Sequence, residues 1–266
     1  LIFESLETGK ILLKFLKFIM PVTLVMLSAV LLHSDETGIY RIPVFDYVTG
    51  RFNPSQHSLF VNLDDTTITG ARKNMYLRKE AAEALELMIA HFHRDNPDIK
   101  IWIQSATRNF NAQKRIWDRK WTGRLRATGT SDITKIKDPL KRAQLILRFS
   151  SMPGTSRHHW GTDFDINYLN NSYYEKGDGA VVYNWFVKNA PEYGFGQPYT
   201  SGRDSGYEEE KWHWSYLPLA KQLLQAWNTL YLSDPSAFNR KNMFQGSEKA
   251  GHIAPVYVNS ISRDCK

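Results

Sequence analysis

Two short segments some fifty residues apart constrain this chain more than anything else in it. Ser156-Arg-His-His-Trp-Gly-Thr-Asp-Phe-Asp165 gathers two histidines and two aspartates, and Glu210-Lys-Trp-His-Trp214 adds a glutamate and a third histidine. A catalytic zinc takes three protein ligands and keeps one position open for water. His158, Asp165 and His213 can supply the three, and Glu210 is then a candidate base for metal-assisted hydrolysis. A fold that uses them must lay residues 158–165 beside residue 213.

The local pattern says how. Gly161 between His158 and Asp165 makes one continuous helix improbable and favours a turn into a strand. After it, Thr162, Phe164 and Ile166 alternate with Asp163, Asp165 and Asn167, which in a strand puts the polar set on one face. Lys211–Tyr216 reads as a second strand, with His213 facing opposite to Trp212 and Trp214. The metal would then tie two strands of one sheet together. In a regular strand Glu210 would point away from His213, so a turn or bulge before Trp212 is required. A lone histidine or aspartate is more often a hydrogen-bonded structural residue; the joint pattern is what carries weight. The His-Glu-x-x-His helix of many zinc peptidases is absent. His159 beside His158, and Asp163 on the face of Asp165, are alternative ligands, and Glu208 and Glu209 crowd Glu210.

Elsewhere, residues 35–75 read as a lead-in broken by Gly and Pro, with a short strand at Leu59–Leu63. From Tyr76, the positions Leu77, Ala81, Ala84, Leu85, Met88, Ile89 and Phe92 recur at helical spacing until Asn96-Pro97. Ile99–Ser105 suits a strand, and Asn109–Trp121, Pro139–Phe149, Val181–Asn189 and Pro218–Leu230 suit helices. Residues 231–266 show little periodicity and read as a tail packed on a domain spanning 76–230. No repeat or linker argues for a second domain.

The net charge of +7 favours anionic polymers. The basic residues are scattered and match no nucleic-acid motif, so no nucleic-acid partner is expected. Eight Trp, thirteen Tyr and fourteen Phe read mainly as an aromatic core. Cys265 is the single cysteine, so no internal disulfide braces the fold. Lys10, Lys14 and Lys17 precede the uncharged run Phe18–Leu32, with His33, Ser34, Asp35 and Glu36 following. A basic stretch and about fifteen mostly apolar residues fit a secretory signal better than a spanning helix of about twenty. Residues 1–34 are therefore read as a signal peptide or an uncleaved anchor, and the protein as periplasmic or extracellular.

Ser156-x-His158-x-x-Gly161-x-x-x-Asp165 followed by Glu210-x-Trp212-His213-Trp214 resembles the zinc D,D-peptidases of the VanY type, relatives of the D-Ala-D-Ala dipeptidases and the hedgehog domain. Ser105-Ala-Thr-Arg108 and Gln113 match the family's Ser-x-x-Arg…Gln segment, and the likeness runs from about Tyr76 to Trp227. It implies an α+β fold, a small antiparallel sheet carrying the zinc with helices packed on its other face. It implies zinc on His158, Asp165 and His213, Glu210 as catalytic base, and Arg108 as the group that binds substrate and stabilises the oxyanion. Gln113 and Ser156 would make further substrate contacts. The implied substrate is a peptidoglycan stem peptide, cut by a carboxypeptidase, dipeptidase or endopeptidase; a zinc-bearing wall-binding module is the non-catalytic alternative. The chain departs from the family pattern at Asp163, where a small residue is usual, and at Lys211, where proline is usual.

Overall fold

The computed structural model describes residues 39–266; the candidate signal or anchor at 1–34 lies outside them. A short helix, α1 (Val44–Thr49), precedes two antiparallel strands, β1 (Phe60–Asn62) and β2 (Tyr76–Arg78), with Val61 opposite Leu77. Leu77, which the apolar spacing places in a helix, lies in β2 because its backbone pairs with β1. The helix α2 (Lys79–Asp95) starts two residues later and buries Ala82, Leu85, Met88 and Phe92 along one stripe.

Strand β3 (Ile103–Ser105) is shorter than the Ile99–Ser105 run suggests. Helices α3 (Phe110–Trp121) and α4 (Pro139–Leu147) follow, each opened by a side-chain cap: Asn109 Oδ1 accepts the Ala112 N–H, and Asp138 Oδ1 that of Leu140. Then come β4 (Asp163–Ile166), α5 (Gly177–Asn189), β5 (Phe195–Gly196), β6 (His213–Tyr216) and α6 (Leu217–Ser233). The tail forms two further short helices, α7 (Ser247–Ala250) and α8 (Ala254–Asn259), which its weak periodicity did not announce. It buries Phe238, Phe244, Val258 and Ile261, and the Trp117 indole donates to the Gln245 carbonyl at 2.9 Å. Val44–Lys266 form one compact unit that takes in both the later part of the lead-in and the tail.

The fold is α+β. Four strands form an antiparallel sheet in the order β3–β4–β6–β5. Phe164, Ile166 and Trp214 on one face join Met88, Phe92, Val182 and Phe186 of α2 and α5 in the main core. The rings interlock edge to face: Phe186 lies 5.2 Å from Trp214, and Phe164 5.4 Å from Phe195. Truncating any one of these rings to Ala would cost about 3–5 kcal/mol, so that face is rigidly seated. The other face carries the polar residues.

Candidate metal centre and cleft

The register of the two central strands assembles the site. Asp165 on β4 stands opposite His213 on β6, and Asp163 stands opposite Ser215. His213 Nδ1 lies 2.9 Å from Asp165 Oδ1. His158 comes from a single 3-10 turn, Arg157–His159, and its Nε2 lies 3.3 Å from Asp165 Oδ2. One donor atom from each of His158, Asp165 and His213 lies within 4.8 Å of the others, and all three side chains are buried. Gly161 makes the turn from His158 into β4 at φ +73°, and a Cβ there would meet Phe60 Cε1 at 2.4 Å. Both conditions call for glycine.

The neighbouring candidates are otherwise occupied. His159 Nε2 accepts the Gly154 N–H at 3.0 Å, so its Nδ1 carries the proton and donates to the Arg108 carbonyl at 2.6 Å. Burial, with Arg108 nearby, drives its pKa down to about 3 and keeps it neutral. His158 instead gives Nδ1 to the Ala106 carbonyl at 2.9 Å, which turns Nε2 towards Asp165. A metal-ligating histidine is ordinarily held in this way by its second nitrogen. Asp163 is fully buried among Arg157, Thr162, Ser215 and the far nitrogen of His213. Glu208 pairs with Arg148 at the surface.

The donor set fits zinc. Both nitrogens of His213 face carboxylates, Asp163 and Asp165, an arrangement stable only with positive charge on or beside the ring. Burial opposes charging the imidazole, but the hydrogen bonds to the two aspartates lift its pKa to about 9. A cation held by this cluster would satisfy the same demand, and two imidazoles with one carboxylate are a usual set for catalytic zinc. Asp165 is held well below the usual carboxylate range: burial raises it, and His158 and His213 more than reverse that.

The required turn before Trp212 is present: the His213 N–H donates to the Glu210 carbonyl at 3.2 Å. It brings Glu210 Oε2 to 3.8 Å from His213 Nδ1. Burial pushes the Glu210 carboxyl up to about 8; Asp165 adds to this, while His213, Arg108 and Lys120 oppose it. Arg108 follows β3, where a register shift between Ile103 and Ser105 turns Ser105 towards the polar side. Arg108 Nη1 donates to Ser105 Oγ at 2.7 Å and stands 3.8 Å from Asp165 Oδ2. A cleft of about 610 Å³ opens over the cluster, and Arg108, Gln113, His158, Asp165, Glu210 and His213 all line it. Gln113 Nε2 donates to the Ser151 carbonyl, and its buried Oε1 has no hydrogen-bond partner among the described residues. Ser156 is the exception: it is fully buried and is not among the cleft's lining residues.

Lys120, Tyr199 and Tyr207 also line the cleft and belong to none of the sequence motifs. Lys120 was findable, since Gln113, Ile116 and Lys120 recur at helical spacing on α3. The tyrosines carried no such signal. The Tyr199 ring lies 4.7 Å from that of His213, and burial raises its hydroxyl pKa well above the ordinary value.

Residues 74–219 match the family VanY, D-alanyl-D-alanine carboxypeptidase. YodJ of Bacillus subtilis (strain 168), described provisionally as a carboxypeptidase, is 27% identical over 150 residues. That match covers 53% of this chain and 46% of YodJ, so the chain spans just under half of that relative. Among solved structures, the LdcB LD-carboxypeptidase aligns at a TM-score of 0.47 with 22% identity, covering 76% of this chain and 81% of its own. VanYB, solved in complex with D-alanine-D-alanine, aligns at a TM-score of 0.43 with 20% identity, covering 64% and 90%.

Proposed function

The chain belongs to the VanY family of D-alanyl-D-alanine carboxypeptidases and is a zinc metallopeptidase, and from that premise we propose that it is a D,D-carboxypeptidase of peptidoglycan stem peptides. The observation that carries the reading is the convergence of His158, Asp165, His213, Glu210 and Arg108 on one cleft. His158, Asp165 and His213 would hold the metal. Bound there, zinc supplies Lewis-acid chemistry, polarising the scissile carbonyl and acidifying water. Glu210 takes the proton of the attacking water and passes it to the leaving amine. Arg108, a permanent cation beside the cluster, stabilises charge developing on the carbonyl oxygen. Lys120 is a second cation in the cleft, which suits a peptide that ends in a carboxylate. Gln113 offers its Oε1 to a substrate N–H; Ser156 lies buried behind the cleft wall.

A wall-binding module has no use for a buried carboxylate 3.8 Å from a ligand nitrogen, so the enzyme is favoured. The basic and apolar N-terminal run supports export, with the activity outside the cytoplasm and the segment itself a signal or an anchor. Among the described residues no helix is long and apolar enough to cross a membrane.

Mass spectrometry of wall peptides digested by the zinc-loaded protein tests the reading. Loss of a single C-terminal alanine is the expected product. Release of a D-Ala-D-Ala unit, or cutting of cross-links, would reassign it to a dipeptidase or an endopeptidase. Arg108→Ala should keep its zinc and its melting temperature, and turn over about 10²–10³-fold more slowly, the usual loss for one oxyanion donor. Unchanged turnover would remove Arg108 from the mechanism.

A further inference from the structure

Asp163 stands two residues before a zinc ligand, at a position where the VanY pattern usually has a small residue, and it is completely buried. Its two oxygens take four hydrogen bonds. Oδ1 meets Arg157 Nε at 2.8 Å and His213 Nε2 at 3.0 Å; Oδ2 meets Thr162 Oγ1 at 2.6 Å and Ser215 Oγ at 3.0 Å. The Ser215 oxygen also accepts Arg157 Nη2 at 2.6 Å, so its one proton is committed to Asp163. Guanidinium can only donate, and an ionised carboxylate can only accept. The network therefore has one direction, and Asp163 can hold His213 only by receiving the Nε2 proton. In the neutral ring the lone pair is then on Nδ1, the nitrogen that faces Asp165.

We propose that Asp163, clamped by Arg157, is a positioning residue that fixes His213 as the Nε2–H tautomer and presents Nδ1 to the zinc. The inference rests on reading His158, Asp165 and His213 as the ligands. The clamp is built for constancy: the Arg157 guanidinium lies 4.7 Å over the Trp160 ring, and neither Arg157 nor Asp163 reaches solvent. His158 is oriented by a backbone carbonyl, whereas His213 is oriented by a full negative charge. A carboxylate behind the ring makes the ligand nitrogen more basic and the metal harder to remove.

The test compares zinc affinity in the parent and in Asp163→Asn, by competition with a chromophoric chelator. The asparagine keeps the size of the side chain but removes the charge and two of its acceptor sites. The expected result is zinc binding weakened about 10–100-fold. A merely structural ion pair would lower the melting temperature equally with and without zinc and leave that affinity alone. Equal affinity in Asp163→Asn, with His213→Ala having lost its zinc, overturns the role of Asp163 and leaves the zinc site standing. Full zinc in His213→Ala overturns both. Should Asp163→Asn not fold, the parent decides: long-range ¹H–¹⁵N spectra of the zinc-loaded protein should show His213 protonated at Nε2 and bare at Nδ1. The opposite tautomer overturns the proposal.

Discussion

Glu210→Gln should cleave wall peptides at least about a hundredfold more slowly than the parent, and up to about ten-thousandfold, while still binding zinc and peptide. Glutamine keeps the size and much of the hydrogen bonding of glutamate but cannot accept a proton. The carboxylate belongs to no ligand pair, since the donor set is complete without it. Its backbone is also fixed independently of its side chain: the N–H donates to the Tyr199 carbonyl at 2.9 Å, and the carbonyl accepts from Gln197 Nε2 at 3.1 Å. The substitution should therefore leave the turn intact. Steady-state turnover of a synthetic stem peptide, with zinc content measured on the same sample, checks it. Parental turnover in the variant would mean that another group moves the proton.

His213→Ala should lose nearly all bound zinc and, with it, measurable peptidase activity. The loss is expected to be so complete because His213 meets both of the other proposed ligands and the candidate base. It stands opposite Asp165 in the sheet, packs its ring 4.8 Å from that of His158, and lies against Tyr199. Removing it leaves Asp163 and Asp165 facing one another across an emptied position, two buried anions with no imidazole between them. Stripping the parent with a chelator should abolish activity in the same way, and added zinc should restore it to the parent but not to the variant. Metal analysis and turnover, before and after readdition, separate the two cases. Stoichiometric zinc in His213→Ala would displace His213 from the ligand set.

The strands that carry the chemistry were legible because period-two alternation survives in so short a run. Asp163, Phe164, Asp165 and Ile166 divide between the two faces as their polarity requires, even though burial covers both. The choice between His158 and His159 was not legible. Both are buried, and what separates them is which ring nitrogen meets which carbonyl, a matter of turn geometry that residue type does not encode. By its place in the alternation Asp163 reads as a rival ligand, but its partners include Arg157 six residues back and Ser215 on another strand. The helices of the tail were not legible. Its helices are too short to build a periodic signal, and its apolar residues serve a seam with α3 and α6 rather than a core of their own.

Helix α1 lies outside the matched span 74–219, yet it forms the back wall of the ligand turn. The Trp160 indole donates to the Val48 carbonyl at 3.1 Å, the Tyr47 hydroxyl donates to the Trp160 carbonyl at 2.8 Å, and the Phe110 N–H donates to the Gly50 carbonyl at 2.7 Å. Gly50, at φ +74°, lies so close to the His159 ring that a Cβ there would meet Nδ1 at 2.4 Å. The stretch of recognisable ancestry and the stretch that must be synthesised together are thus different objects. A gene fragment trimmed to the homologous borders would keep every residue of the chemistry and discard the masonry behind it, leaving an indole and an imidazole to face water where they had faced backbone.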